Sequence, residues 1–118
     1  MSNQGFSQDG PLTYLAGAPI ATNLLVTLTG TAGTVVLCGA AGFPVGIADG
    51  AVASGAYGSF KVMRGRVQVF GTAAAGDFVK AGAAGVVVAE AGVTTRTGNT
   101  IGQAETAATA GRLWIVCL

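Results

Sequence analysis

The chain has 118 residues, enough for one domain with a real core. Only 9% of them are charged, six basic and five acidic for a net charge of +1, against about 25% in an average soluble protein. That balance argues against a phosphate-binding surface built on clustered Lys and Arg, and the absence of histidine removes Ser-His and Cys-His nucleophile pairs altogether.

In chain order, residues 1–10 are polar and contain glycine. They predict a flexible N-terminal arm, able to order on a partner, ahead of a single β domain over residues 11–118. The arm has neither the basic nor the apolar region of a signal peptide, so synthesis in a cytoplasm is expected. Strand signals then recur at short spacing, at 12–15, 23–29, 34–38, 45–48, 59–63, 66–70, 78–80, 86–89, 100–103 and 112–118. Gly-rich turns separate them, which predicts an all-β fold, a small β-sandwich or barrel. At most one short helix is expected, a turn or two in 104–110, where Glu105 stands among alanines. The apolar runs are far short of the roughly 20 residues a membrane-spanning helix needs.

Two segments carry more detail. Phe60 and Val62 share one face while Lys61 takes the other, and beyond Gly65 the apolar positions are Val67 and Val69, with Arg66 and Gln68 polar. A period of two cannot change parity inside one strand, so a turn or bulge is expected at Arg64-Gly65-Arg66. Lys61, Arg64 and Arg66 form the sole basic cluster, which fits a solvated hairpin end better than a nucleic-acid patch. The run from Leu113 to Leu118 is apolar on both faces and predicts a strand buried on both sides or covered by a neighbouring subunit, with Trp114 in the core or at an interface, the core being favoured. Cys38 and Cys117 stand in apolar runs and are expected to be buried free thiols.

Recognisable reaction chemistry is missing. The glycine-rich stretch 39–46 lacks the Gly-Lys-Ser/Thr ending of a phosphate loop, and no Gly-x-Ser-x-Gly elbow occurs. Two isolated cysteines do not make a zinc site. The carboxylates Asp9, Asp49, Asp77, Glu90 and Glu105 are spread along the chain; a pair meeting in space stays open, but Asp49-Gly50 and Gly76-Asp77 are better read as turns. The stretch from Gly76 to Gly92 resembles part of a biotinyl or lipoyl carrier domain, yet no lysine follows Gly92 to be modified. Neither an enzyme activity nor a cofactor or metal is expected.

The order of motifs carries a further signal. Gly10-Pro11-Leu12-Thr13-Tyr14 opens the domain, followed by Val45-Gly46-Ile47-Ala48, Ser54-Gly55-Ala56-Tyr57-Gly58 and Phe60-Lys61-Val62-Met63-Arg64-Gly65. Ala75-Gly76-Asp77-Phe78-Val79-Lys80, Ala84-Gly85-Val86-Val87-Val88, Ile101-Gly102-Gln103-Ala104 and Ala110-Gly111-Arg112-Leu113-Trp114 complete it. Over roughly residues 10–118 this order resembles the small capsid decoration, or cement, proteins of tailed phages and prophages. It departs from their pattern at 22–38, which is richer in Thr and Leu. The resemblance implies a β-tulip-like or barrel domain on the outer surface of the expanded virion head, commonly trimeric, bridging subunits of the major capsid protein, with no catalytic residues and no nucleic-acid or membrane partner. Residues 1–20 and the loop 39–46 are then expected to face the shell, with Asn3, Gln4, Phe6, Leu12, Tyr14, Phe43 and Pro44 as contacts. Another virion part, a head-fibre or tail module, is the alternative, and a metabolic carrier or ligand-binding β domain is a third.

Overall fold

Ten short strands form where the apolar alternation places them. They are β1 (Leu12–Ala16), β2 (Leu25–Leu28), β3 (Thr34–Leu37), β4 (Gly46–Ala48), β5 (Tyr57–Lys61), β6 (Arg66–Thr72), β7 (Phe78–Ala81), β8 (Val87–Ala89), β9 (Gly102–Ala104) and β10 (Arg112–Cys117). The computed structural model describes residues 12–90 and 95–118. A single 3-10 turn, Ala83–Gly85, is the helical element among the described residues.

The strands close into two five-stranded barrels, β1-β3-β2-β4-β5 and β6-β8-β7-β9-β10. Closure removes the open strand edges that would otherwise template aggregation. The two barrels have the same topology. In each, the first strand pairs with the third in parallel and with the fifth antiparallel, while the second pairs antiparallel with the third and fourth. The registers correspond as well. Val26 pairs with Gly46 as Val79 pairs with Gly102, and Ala48 pairs with Phe60 as Ala104 pairs with Ile115. The chain is therefore an internal repeat, with residues 12–61 and 66–117 as its two copies.

A physical reason for the repeated Gly-x-Ala of β4 and β9 follows from the register. A Cβ on Gly46 would stand 2.9 Å from the carbonyl oxygen of Lys61, and one on Gly102 would stand 2.8 Å from that of Val116. The fourth strand of each barrel approaches the fifth too closely for any side chain at that position. The alanine two residues on, Ala48 or Ala104, points inward and is buried in both copies.

Barrel 1 encloses Ala16, Ile20, Val26, Val35, Ala48, Val52 and Phe60. An isolated bridge between Ile20 and Val52 closes one end of it. Barrel 2 encloses Val67, Val69, Val79, Val87, Ala104, Leu113 and Ile115, and this core extends without a break to Leu25, Cys38 and Ile47 of barrel 1. The barrels thus share one apolar junction. Backbone bonds stitch it: Gly85 N–H donates to the Cys38 carbonyl at 2.8 Å, and Ala41 N–H to the Ala81 carbonyl at 2.8 Å.

The parity change at Arg64-Gly65-Arg66 is where the chain leaves one barrel and enters the next, with Gly65 at φ 64°. The basic cluster around it is not a hairpin end, because β5 and β6 belong to different barrels. Lys61 pairs with Asp49 at 3.6 Å, and Arg66 pairs with Glu105. No helix forms at 104–110; that stretch bends along β10, with Glu105 N–H donating to the Trp114 carbonyl at 2.8 Å and Trp114 N–H to Thr106 Oγ1 at 3.1 Å. These tertiary bonds outweigh the weak helical preference of alanine.

Trp114 is not in the core. On β10, Leu113 and Ile115 point inward, so Trp114 and Val116 face outward. The Arg66 guanidinium lies over the indole, 4.0 Å from its centroid, and half covers it. Both cysteines are free; Cys38 is fully buried and Cys117 half-buried, and burial pushes both thiols above their ordinary range.

Candidate interaction surface

With so few charges, the exposed apolar side chains are the first candidates for a contact surface. Phe43 is 77% exposed, Tyr57 73% and Leu118 53%. Phe43 and Leu118 line the same feature, an open groove of about 440 Å³ where the two barrels meet. Phe43 and Pro44 come from the β3–β4 loop, Met63 from the link between barrels, Ile101, Cys117 and Leu118 from barrel 2, and Arg96, Thr97 and Thr100 from the β8–β9 connection.

Each wall is fixed by backbone bonds. Gly42 N–H closes a turn onto the Gly39 carbonyl at 3.0 Å, and Ala41 inside it adopts φ 57°, a left-handed conformation that alanine takes up at a cost. Thr27 Oγ1 donates to the Phe43 carbonyl at 3.0 Å, and Val45 N–H to the Val26 carbonyl at 2.8 Å. The Phe43 backbone is therefore held on both sides while its ring stands in solvent. On the opposite wall, Cys117 N–H donates to the Gly65 carbonyl at 2.8 Å.

Glu90 braces the rim. Thr97 Oγ1 donates to it at 2.7 Å, and Thr100 Oγ1 donates to its other oxygen. Thr97 N–H in turn donates to Thr100 Oγ1 at 2.8 Å. The hydrogen bonds from Thr100 and Thr97 hold the Glu90 carboxyl below the usual carboxylate range, aided by the charge of Lys80. A carboxyl lowered by folding stabilises the protein above its unfolded pKa of about 4.3 and loses that contribution as pH falls through the lower folded value. Glu90→Gln is accordingly expected to melt below wild type at pH 7, with the gap closing as the solution is taken below about pH 4; a pH series of thermal melts checks this. A gap unchanged down to strongly acid pH would mean that the carboxylate is not the stabilising species.

The other described carboxylates are engaged as well. Asp49 pairs with Lys61, Glu105 with Arg66, and Asp77 Oδ2 accepts the Ala74 N–H at 2.9 Å across the expected turn at Gly76. Among the described residues, no three His, Cys, Asp or Glu side chains come together as metal ligands.

The repeat also duplicates a shallow cleft. Asp49 to Ala53 with Tyr57 to Ser59 form one of about 360 Å³ on barrel 1. At the corresponding place on barrel 2, Thr106, Ala107 and Thr109 with Arg112 to Trp114 form one of about 450 Å³. They are not chemically alike: the first is edged by Tyr57 and the second by Trp114 and Arg112.

Of the contact residues expected from the sequence, Asn3, Gln4 and Phe6 lie outside the described residues. Phe43 and Pro44 stand together on the groove. Leu12 and Tyr14 are half-buried and form no part of its lining; the Tyr14 ring packs inward, 5.8 Å from the Phe60 ring. Arg96, Met63, Cys117 and Leu118 were not anticipated as groove residues, since only the fold brings these distant segments together.

No family model matches the sequence, and no curated protein sequence matches it. Among solved structures, the N base of the head fibre protein gp8.5 of bacteriophage phi29 is similar, with a TM-score of 0.76. The similarity covers 92% of this chain and 92% of that one at 18% identity, and it establishes a shared fold.

Proposed function

We propose that this chain is a non-catalytic structural protein of a phage head, seated on the outside of the capsid and bound to the major capsid protein. The supporting observation is the double-barrel fold, common over nearly the whole of both chains to the base of a head fibre. The ordered motifs, which resemble cement proteins, lead independently to the same location. An outer-surface seat also suits a chain whose surface is poor in charge and leaves Phe43, Tyr57 and Leu118 in the open. Homotrimers of this chain, bridging capsid subunits, belong to the same reading; many weak identical contacts on one shell then add through effective concentration.

Two finer assignments compete, and copy number separates them. A fibre base, favoured by the structural similarity, occupies few sites per head. A cement protein, favoured by the motif order, approaches one copy per capsid subunit and raises the melting temperature of the shell. Co-sedimentation of the purified protein with expanded and unexpanded shells of the same phage is expected to show saturable binding to the expanded form. Absence of binding to either shell would refute the reading as a whole.

A further inference from the structure

The groove between the barrels has a chemistry that specifies what it takes. Its apolar lining comes from Phe43, Pro44, Met63, Ile101 and Leu118, and its polar lining from Thr97, Thr100 and Arg96. Arg96 is exposed and has no ion-pair partner among the described residues, whereas Lys61 pairs with Asp49 and Arg66 with Glu105. Thr97, next to Arg96, and Thr100 both donate to Glu90, so the cation stands beside a braced residue.

We infer that this groove binds a segment of the shell protein in which a bulky apolar side chain lies within a few residues of an Asp or Glu. The inference rests on the proposed capsid-surface role and supplies the contact through which it is exerted. The apolar side chain fills the space between Phe43 and Leu118, and the carboxylate meets Arg96. A guanidinium suits this task because it presents a planar fork of donors that a carboxylate can accept in pairs. Recognition works through side chains, because both barrels are closed and, among the described residues, offer no free strand edge for a partner strand to extend. The volume of about 440 Å³ falls within the size of sites that take a few side chains or a small ligand.

A second copy of the barrels is a poorer fit. The side chains of Asp49, Asp77, Glu90 and Glu105 are each already engaged within the chain, so a copy has no side-chain carboxylate without an internal partner, among its described residues, to meet Arg96. A partner of different sequence has no such restriction.

The test uses the full chain and expanded shells. Phe43→Ser and Arg96→Glu change exposed side chains and are expected to leave the circular dichroism spectrum and melting temperature intact. Each is expected to weaken shell binding by about tenfold or more, the size of a hot-spot truncation, with Arg96→Lys falling between Arg96→Glu and wild type. Overlapping synthetic peptides of the shell protein are then added as competitors. Those with a bulky apolar residue beside Asp or Glu are expected to displace the protein, and their Asn or Gln derivatives are not. If wild type binds and both variants bind equally well, the groove is not the contact and the capsid-surface reading survives without it. Competition by a peptide of residues 1–11, with none by shell peptides, would overturn the inference in favour of the chain's own N-terminal segment. If wild type binds no shell, the inference and the reading fail together.

Discussion

Phe60→Ala is expected to destabilise the protein by about 3–5 kcal/mol, the usual cost of emptying a buried aromatic site. In a chain of this size that lowers the melting temperature by roughly 10–20 °C. Phe60 is fully buried, is the largest side chain inside barrel 1, and has the Tyr14 ring against it at 5.8 Å. Its surroundings are small, chiefly Val26, Val35, Ala48 and Val52, and a closed barrel has little freedom to collapse onto the space left behind. The loss is expected to reach both barrels, because Leu25, Cys38 and Ile47 of barrel 1 belong to the core of barrel 2. The sole tryptophan, Trp114, stands in barrel 2 and reports that half alone. Thermal unfolding followed by far-ultraviolet dichroism and by Trp114 fluorescence should shift equally. A fluorescence transition that stays at the wild-type temperature would show that the barrels unfold independently.

The strands were legible in the sequence because alternation at period two is a direct imprint of an inside and an outside. The same signal located the break at Gly65, where the parity changes. It did not reveal that this break divides two copies of one fold. The repeat shows in the sequence at Gly46-x-Ala48 and Ala51, which recur as Gly102-x-Ala104 and Ala107 at the same spacing. At Gly46 and Gly102 a Cβ would stand 2.9 and 2.8 Å from a carbonyl oxygen, so the repeat preserves the positions where the backbone leaves no choice. Elsewhere the copies retain little in common, because a core position asks only for an apolar residue of suitable volume: Phe60 in one is Ile115 in the other.

Trp114 was misread for a related reason. Leu113, Trp114, Ile115 and Val116 are all apolar, so alternation has no contrast to work on, and only the pairing of β10 with β6 and β9 determines which side faces inward. The groove was legible in part. Gly39 to Gly46 reads as a loop, from which Phe43 and Pro44 were singled out, and both line the groove. Arg96 was not, because sequence shows a cation but not whether a carboxylate stands beside it. The helix expected at 104–110 failed because alanine's preference is a few tenths of a kcal/mol per residue, less than the hydrogen bonds that tie Glu105 and Thr106 to Trp114.

The internal repeat also sets up its own control for the second large effect. Gly71 and Ala16 occupy the same place in the two barrels: Gly71 pairs in parallel with Val87 as Ala16 pairs with Val35, and their N–H groups donate to Gly111 and Ala56, both at 2.9 Å. Ala16 is buried with its methyl group in the core of barrel 1. At Gly71 a Cβ would stand 2.1 Å from the Val87 carbonyl oxygen and 2.7 Å from its Cγ2, at φ 152°. The carbonyl cannot turn aside without giving up its place in the β8 backbone. Gly71→Ala is therefore expected to force β6 and β8 apart and cost about 3 kcal/mol or more, at or beyond the upper end for an overpacked core. The reverse change in the other copy, Ala16→Gly, removes one methyl group and adds backbone freedom, for about 1–2 kcal/mol. Urea unfolding of the two variants measures both. A Gly71→Ala midpoint no lower than that of Ala16→Gly would mean that β8 can yield at Val87, and that the close approach of these two strands is not what demands a glycine at position 71.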